Sequence, residues 1–289
     1  MCAMMLEDHT IGLAERSDYG DRFRHLIRSI TGITLPASKV RMIDQRLRRR
    51  VVAFQLPSTE DYLQMLLEHP GMDDELREVI DLITTNTTSF FRESGHFDFL
   101  ADEALPQFLA HPVAGRLPRI KLWSAASSEG AEGYTAAMVL SDQQRRGRAF
   151  DYAILGTDIS GRMIEKASDA VYTREQLAAV PVEMKRRYFM ASSDPAYAGQ
   201  MRVAPELRAR VRFRHLNLMD QVYRVDKDVN VIFLRNILIY FGAEDQAAVV
   251  ARLTDHLVPG GYLIVGHSES MVVKHPQLEH VKPTIFRKV

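Results

Sequence analysis

Apolar residues in the first third of the chain recur at helical spacing. Phe23, Ile27 and Ile30 share one face, and after a break at Gly32 to Pro36 a second helix starts near Ser38 with Met42, Ile43, Leu47 and Val51 turned inward. From Ser58 to Leu82 the pattern stays helical, through Tyr62, Leu63, Leu66 and Leu67 and then Leu76, Val79, Ile80 and Ile83. Thr84, Thr85, Asn86, Thr87 and Thr88 are poor helix material and read as a linker. The spacing therefore predicts a flexible tail over 1–19, a small all-α domain over 20–84, and a second domain over 85–289.

Beyond the linker the pattern changes to short, nearly continuous apolar runs that alternate with helices. The runs begin at Arg119, at Tyr152 (to Ser160), at Arg210 (ending near Asn217), at Val229 (to Phe241) and at Tyr262 (to Ser270), with a closing strand at Thr284 to Val289. Such runs suit a parallel sheet buried on both faces, so a doubly wound α/β domain is expected. The segment from Arg186 to Phe213, irregular around Asp194, Pro195 and Gly199, reads as a small antiparallel excursion from the main sheet.

The stretch RIKLWSAASSEGAEGYTAAM, Arg119 to Met138, opens as a strand, passes through small residues to Gly130 and continues as a helix. A strand that enters a helix this way lets backbone approach a ligand, with helix N–H groups aimed at it. Only Gly130 stands where a dinucleotide fingerprint has three glycines, so on this segment alone a plain tight turn is equally acceptable. Asp158, at the end of the next strand, adds weight, because an acid there is placed to bind both hydroxyls of a ribose. Arg92, set among Phe90, Phe91, Phe97 and Phe99, calls for an anionic partner, in either a structural ion pair or a ligand.

Composition sets limits. The 289 residues are 46% hydrophobic, with 37 basic and 37 acidic side chains, as expected of an ordinary globular protein and not of a generic nucleic-acid binder. The balance conceals a basic second helix (Lys39, Arg41, Arg46, Arg48, Arg49, Arg50) followed by an acidic segment from Glu60 to Asp81. The basic run is either a solvated face or a dock for an acidic partner. Cys2 is the single cysteine, which excludes an internal disulfide framework and fits a reducing cytoplasm. No signal peptide, membrane-spanning run or metal-ligand cluster is expected, and His96, His215 and His267 read as isolated structural histidines.

Five blocks, in this order, resemble the CheR family of S-adenosylmethionine-dependent methyltransferases that esterify glutamates of bacterial chemoreceptors. They are NTTSFFRE (Asn86 to Glu93), WSAASSEGAEGY (Trp123 to Tyr134), GTDIS (Gly156 to Ser160), FLRNILIYF (Phe233 to Phe241) and LVPGGYLIVGHSES (Leu257 to Ser270). In the Trp123 block the family usually has glycine near Ala126, cysteine near Ser127, glutamate at Ala131 and proline at Gly133.

The resemblance implies a Rossmann-like methyltransferase domain with a β-subdomain at about 186–213, preceded by the all-α domain. It implies S-adenosyl-L-methionine as cofactor and S-adenosyl-L-homocysteine as product, bound by Asn86, Thr88, Arg92, Ala126, Glu132, Asp158, Asn217, Leu218, Leu234 and Arg235. Glu132 would take the cofactor's ammonium and Asp158 its ribose, with Arg92 and Tyr240 next to the reacting centre. Arg41, Arg46, Arg48, Arg49 and Arg50 would recognise the cytoplasmic coiled coil of a receptor, and the β-subdomain is a candidate site for a receptor tether peptide. A cytoplasmic monomer that binds neither nucleic acid, membrane nor metal is the corresponding expectation. The altered Trp123 block leaves open a CheR-like signalling module that no longer transfers methyl groups.

Overall fold

The computed structural model describes residues 7–110 and 116–289, with side chains described from residue 19 onward except at 37. Cys2 and the first six residues of the expected tail lie outside the described residues. The chain forms two compact units, one holding residues up to Thr85 together with Tyr240–Gly242, the other Asn86–Ile239 and Ala243–Val289.

The first unit contains helices α1 (Glu7–Thr31), α2 (Val40–Ala53), α3 (Thr59–Glu68) and α4 (Asp73–Ile83). Helix α1 takes in residues 7–19, which the sequence pattern assigned to the tail. The inward residues are those the periodicity marks: Phe23 and Ile27, then Ile43, Leu47 and Val51, then Tyr62, Leu63 and Leu66, then Val79, Ile80 and Ile83. One continuous helical pattern from Ser58 becomes two helices because Pro70 forces His69 into an extended conformation and Gly71 turns at φ +81°. The buried carboxylate of Glu75 links α4 to its neighbours, accepting from Arg50 Nε at 2.8 Å and from Arg50 Nη2 and the Tyr62 hydroxyl. Burial pushes this carboxyl up, but the bonds from Arg50 and Tyr62 and the Arg50 charge hold it below the ordinary range. The returning segment joins this unit through a bridge between Ile33 and Phe241 and a bond from Thr34 N to Tyr240 O.

The second unit begins with the NTTSFFRE turn and a helix in three parts, α5 (Gly95–Phe99), a π-helical turn (Leu100–Ala104) and α6 (Leu105–Leu109). In chain order there follow β1 (Arg119–Ala125), α7 (Ala131–Arg145), β2 (Asp151–Asp158), α8 (Gly161–Asp169), β3 (Val171–Thr173), α9 (Val182–Tyr188), β4 (Phe189–Ala191), β5 (Gln200–Val203), α10 (Pro205–Arg208), β6 (Val211–His215), β7 (Val229–Leu234), α11 (Ala243–His256), β8 (Leu257–Val265), β9 (Leu278–Lys282) and β10 (Ile285–Lys288). The main sheet has the order β6-β2-β1-β7-β8-β10-β9, parallel as far as β8, with β10 and β9 antiparallel.

Alternate strand positions explain burial on both sides. Ile120, Leu122, Ile154, Val231, Phe233 and Ile264 join one core with α7 and the Phe90 to Leu105 segment. Trp123 points the other way, edge-on to Tyr223 and His256, its indole N–H donating to Thr157 at 2.9 Å. The expected doubly wound domain is therefore present.

Two details differ from the sequence pattern. The small sheet has the order β3-β5-β4, so it starts at Val171, while Val211–His215 belongs to the main sheet. The three-residue strands β3 and β4 are too short to carry a visible alternation. Edge strand β9, exposed along most of its length, also gave no apolar run to read.

Gly156, inside β2, is required by packing. A Cβ there would enter the edge of the Phe213 ring and lie 3.0 Å from Ser127 Oγ, whereas a Cβ on Gly161 meets nothing within 4 Å. Gly156→Ala is expected to destabilise the protein by about 1–3 kcal/mol through overpacking. Gly161→Ala, at the first turn of α8, should be neutral or slightly stabilising. Denaturant midpoints of the two variants check this contrast.

Candidate functional site

The chain starts its sheet at β1, builds outward through β2 to β6, then returns to the other side of β1 with β7 and β8. That reversal makes the carboxyl ends of β1 and β7 the topological switch point, where open α/β sheets hold ligands. Register brings the ends into one row. Ala125 pairs with Thr157 and Leu234, and Leu234 with Val265, so Ala126, Asp158, Arg235 and Gly266 stand side by side.

The turn after β1 is left-handed at Ala126 (φ +63°), Ser128 (φ +49°) and Gly130 (φ +87°). Alanine at 126, where the resemblance would put glycine, carries a cost, because positive φ costs a residue with a Cβ roughly 1–2 kcal/mol. Gly130 caps α7, and a Cβ on it would lie 2.8 Å from the Phe213 ring and 2.9 Å from Ala167. Asp158 fixes the turn. Its buried carboxylate accepts from Ser128 N at 2.8 Å and Ser160 N at 2.9 Å, and its carbonyl accepts from Leu216 N at 3.0 Å. The loop carrying Asn217 and Leu218 is thereby tied to the end of β2. Asn217 Oδ1 accepts from Met219 N, while buried Leu218 offers its carbonyl to Tyr223 and Arg252. On the other side Ser128 Oγ donates to Asn86 O at 2.8 Å, attaching the linker to the turn. Ser127 Oγ is buried with no hydrogen-bond partner among the described residues.

A second cluster surrounds Arg235, whose side chain is 4% exposed. Nη1 donates to Glu132 Oε2 at 3.0 Å, Nη2 donates to Arg92 O and lies 3.5 Å from Glu93 Oε2, and the guanidinium sits over Phe97 and Phe233. Glu132 Oε1 accepts from Ser124 Oγ at 2.6 Å. Burial pushes the Glu132 carboxyl up, opposed by the Arg235 charge and the bonds from Ser124 and Arg235. The arginine that finds anions among the phenylalanines is thus Arg235. Arg92 instead donates Nη1 to Thr87 O at 3.0 Å, in a turn whose flanking residues Phe91 and Glu93 are both left-handed. Thr88 is half-buried in the same turn, and Leu234 is fully buried at the end of β7.

Two of the three histidines are not isolated. The His96 and His267 rings lie 5.9 Å apart, with Glu93 Oε2 at 3.5 Å from His96 Nδ1 and 4.0 Å from His267 Nε2. Burial, and then the Arg235 charge, push His96 down to about 4, so at neutral pH it is uncharged. The cluster therefore holds the two carboxyl groups of Glu93 and Glu132 against the single guanidinium of Arg235. Glu93, Ser124 and Ser128 were not singled out from the sequence, and His96 was read there only as an isolated structural histidine. Glu93, Ser124 and Ser128 stand inside motif blocks without a stated role, and Ser124 also reads as an ordinary strand residue.

Tyr240 belongs to the helical unit, where Lys39 Nζ lies 5.7 Å from its ring centroid. The five arginines of α2 divide into two groups. Arg46 donates to the carbonyls of Ile83 (2.5 Å) and Thr84 (3.1 Å) at the end of α4, and Arg50 is bound to Glu75, so both are used inside the unit. Arg41, Arg48 and Arg49 are exposed along one face with Gln45 and Val52. Among the described residues there is no group of side chains that could hold a metal ion, and no helix is long and apolar enough to cross a membrane.

Comparison with known proteins agrees with this architecture. Residues 20–84 match the family model described as the CheR methyltransferase all-alpha domain, and residues 86–286 the CheR methyltransferase SAM binding domain. The chain is 38% identical over 278 residues to a chemotaxis protein methyltransferase of Vibrio parahaemolyticus, covering 94% of this chain and 96% of the relative. It is 34% identical over 273 residues to chemotaxis protein methyltransferase 2 of Pseudomonas aeruginosa, covering 94% and 92%. For the Escherichia coli chemotaxis protein methyltransferase the figures are 36% over 251 residues, 86% and 83%.

The neutral, buried His96 makes stability depend on pH. Its folded pKa is about 4 against an ordinary 6.5, so between those values the unfolded chain binds more protons and acid favours unfolding. His96→Gln keeps a group able to bond Thr284 Oγ1, the present partner of His96 Nε2 at 2.7 Å, but cannot titrate. Between pH 7 and pH 5 the wild type should lose about 1–2 kcal/mol more than His96→Gln. Urea unfolding at the two pH values measures the difference.

Proposed function

This chain belongs to the CheR methyltransferase family, with S-adenosyl-L-methionine as methyl donor, and we propose that it esterifies glutamate side chains on the coiled coil of a chemoreceptor. The observation that carries the proposal is the row of Ala126, Asp158, Arg235 and Gly266 at the switch point, with a buried cluster richer in carboxylate than in guanidinium beside it.

The residues present suit the donor. Glu132 and Glu93 offer negative charge to its ammonium, and the Glu93 Oε2 and Ser127 Oγ atoms are buried acceptors without hydrogen-bond partners among the described residues. Asp158 stands at the carboxyl end of β2, where an acid is placed to bind a ribose diol. Asn86, Thr88, Asn217, Leu218 and Leu234 complete the proposed site from the loops and strand ends around the row.

Glutamate, with an ordinary pKa of about 4.3, is already an anion at neutral pH, so no general base is needed. Bound S-adenosylmethionine supplies the methyl group: the carboxylate oxygen forms the new C–O bond as the S–CH3 bond breaks and its electron pair returns to sulfur. In this reading the Tyr240 hydroxyl donates a hydrogen bond to the acceptor carboxylate and aligns it, and Arg92 fixes the charged groups around the donor. Alignment of this kind contributes roughly 7–11 kcal/mol in favourable cases. Arg41, Arg48 and Arg49 meet the acidic receptor surface, while Arg46 and Arg50 hold the helix that presents them.

The small sheet offers a place for a receptor tether peptide. A cavity of about 770 Å³ lies there, lined by Lys166, Arg202 and Arg208 with Met190, Tyr197 and Met201, and the outer edge of β4 has no strand partner among the described residues. The protein is proposed to act in the cytoplasm as a monomer, since one chain carries both the donor site and the basic helix.

The test is transfer of labelled methyl from S-adenosylmethionine to a purified receptor cytoplasmic fragment, read as base-labile ester. Tyr240→Phe should lower kcat at least tenfold while S-adenosylhomocysteine affinity stays within threefold. Reversing Arg41, Arg48 and Arg49 to Glu should raise KM for the receptor at least tenfold, with the defect greatest at low salt. Undiminished turnover in Tyr240→Phe removes Tyr240 from the reaction, and an unchanged KM makes α2 an ordinary solvated helix.

A further inference from the structure

Glu269, which none of the proposed contacts uses, is fully buried in the 3-10 turn His267–Glu269 that follows β8. Its carboxylate accepts four backbone N–H groups. Oε2 takes those of Gly266 and Asn236, and Oε1 those of Ile237 and Leu238, each at 2.7 Å. Three of the four donors, Asn236, Ile237 and Leu238, are successive residues of the segment after β7. Successive amides converging on one point form a nest for negative charge, and such charge-assisted bonds are roughly twice as strong as neutral ones. The approach is close enough to dictate a glycine: a Cβ on Gly266 would lie 2.7 Å from Glu269 Oε2 and 2.6 Å from Asn236 Nδ2. Asn236 itself is left-handed, at φ +60°.

The pinned segment lies between two residues with assigned tasks. Arg235, immediately before it, holds Glu132 and Glu93, and Tyr240 comes two residues after Leu238, at the end of the same 3-10 turn (Leu238–Tyr240). We infer that Glu269 is a positioning residue for methyl transfer, whose carboxylate fixes Asn236 to Leu238 and with them the start of the 3-10 turn that carries Tyr240. The inference rests on the role proposed for Tyr240. Gln in place of Glu269 substitutes an N–H donor for one acceptor, so at least one of the four amides faces a donor and the segment must shift. A displacement of about 1 Å in a group that orients a reactant can cost about 10²-fold in rate.

The test is a double-mutant cycle in receptor methylation. Glu269→Gln is expected to lower kcat at least tenfold, with KM for the receptor and S-adenosylhomocysteine affinity within threefold of wild type. In a Tyr240→Phe background the same change should lower kcat less than twofold, because the group it positions is already gone. Equal losses in both backgrounds would reduce Glu269 to general structural support and overturn the inference. An unchanged kcat per folded molecule, with a lowered melting temperature, would overturn it as well. Should Glu269→Gln not yield folded protein, Glu269→Asp, which keeps the charge but withdraws it by one methylene, is put through the same cycle with the same criteria. If Tyr240→Phe alone costs no turnover, the role of Tyr240 fails and that of Glu269 with it. If Tyr240→Phe does cost turnover but the losses multiply, only Glu269 fails.

Discussion

One guanidinium joins the parts of the site that the chain supplies far apart in sequence. Arg235 at the end of β7 holds Glu132 on α7, faces Glu93 in the NTTSFFRE turn and donates to the carbonyl of Arg92. Phe97 and Phe233 cover its faces, and almost none of it reaches solvent. Removing one partner of a buried ion pair costs roughly 3–5 kcal/mol, so Arg235 depends on Glu132 and Glu93 staying in place. The position of the turn before α5 and the position of α7 are therefore not independent of the end of the central strand. His96 remains neutral beside it, so the two carboxyl groups of Glu93 and Glu132 face a single guanidinium.

Backbone strain is concentrated around the same place. Phe91, Glu93, Ala126, Ser128 and Asn236 all adopt positive φ without being glycine, and all lie in loops at or beside the switch point. Such conformations persist where surrounding bonds over-determine them. The bonds are identifiable here: Thr135 Oγ1 accepts from Phe91 N, Asp158 from Ser128 N, and Glu269 from Asn236 N. Two buried carboxylates, Asp158 and Glu269, thus act on backbone amides at either end of the row, and each holds a loop in a shape its sequence would not choose alone. Ala126, where the family usually has glycine, is accommodated in the left-handed region by this scaffold.

The sheet was legible because strands buried on both faces must be apolar throughout, and the helical unit because its inward residues repeat every three to four positions. Strands β3 and β4 were not, since three residues give no periodicity and their partners come from distant segments. The row of strand ends was partly legible: Asp158 stands out as an acid at a strand end, whereas Arg235 reveals its partners only when β7 is placed next to β1. Arg46 and Arg50 resemble Arg48 and Arg49 in sequence. What separates them is helix phase together with the position of α4, which brings the Ile83 carbonyl and the Glu75 carboxylate within their reach. Glu269 was hidden for a related reason. A single acid in a short exposed-looking motif gives no sign that four amides will converge on it.

The central claim is that the ends of β1 and β2, held by Asp158, form the donor site in spite of the strained alanine turn. Calorimetric titration with S-adenosylhomocysteine tests it most directly, comparing wild type with Asp158→Asn after both are shown to be folded. Binding at micromolar levels in the wild type, weakened in Asp158→Asn by about 1–3 kcal/mol, is the expected result. Equal binding by the two proteins, or none by the wild type, would contradict the account.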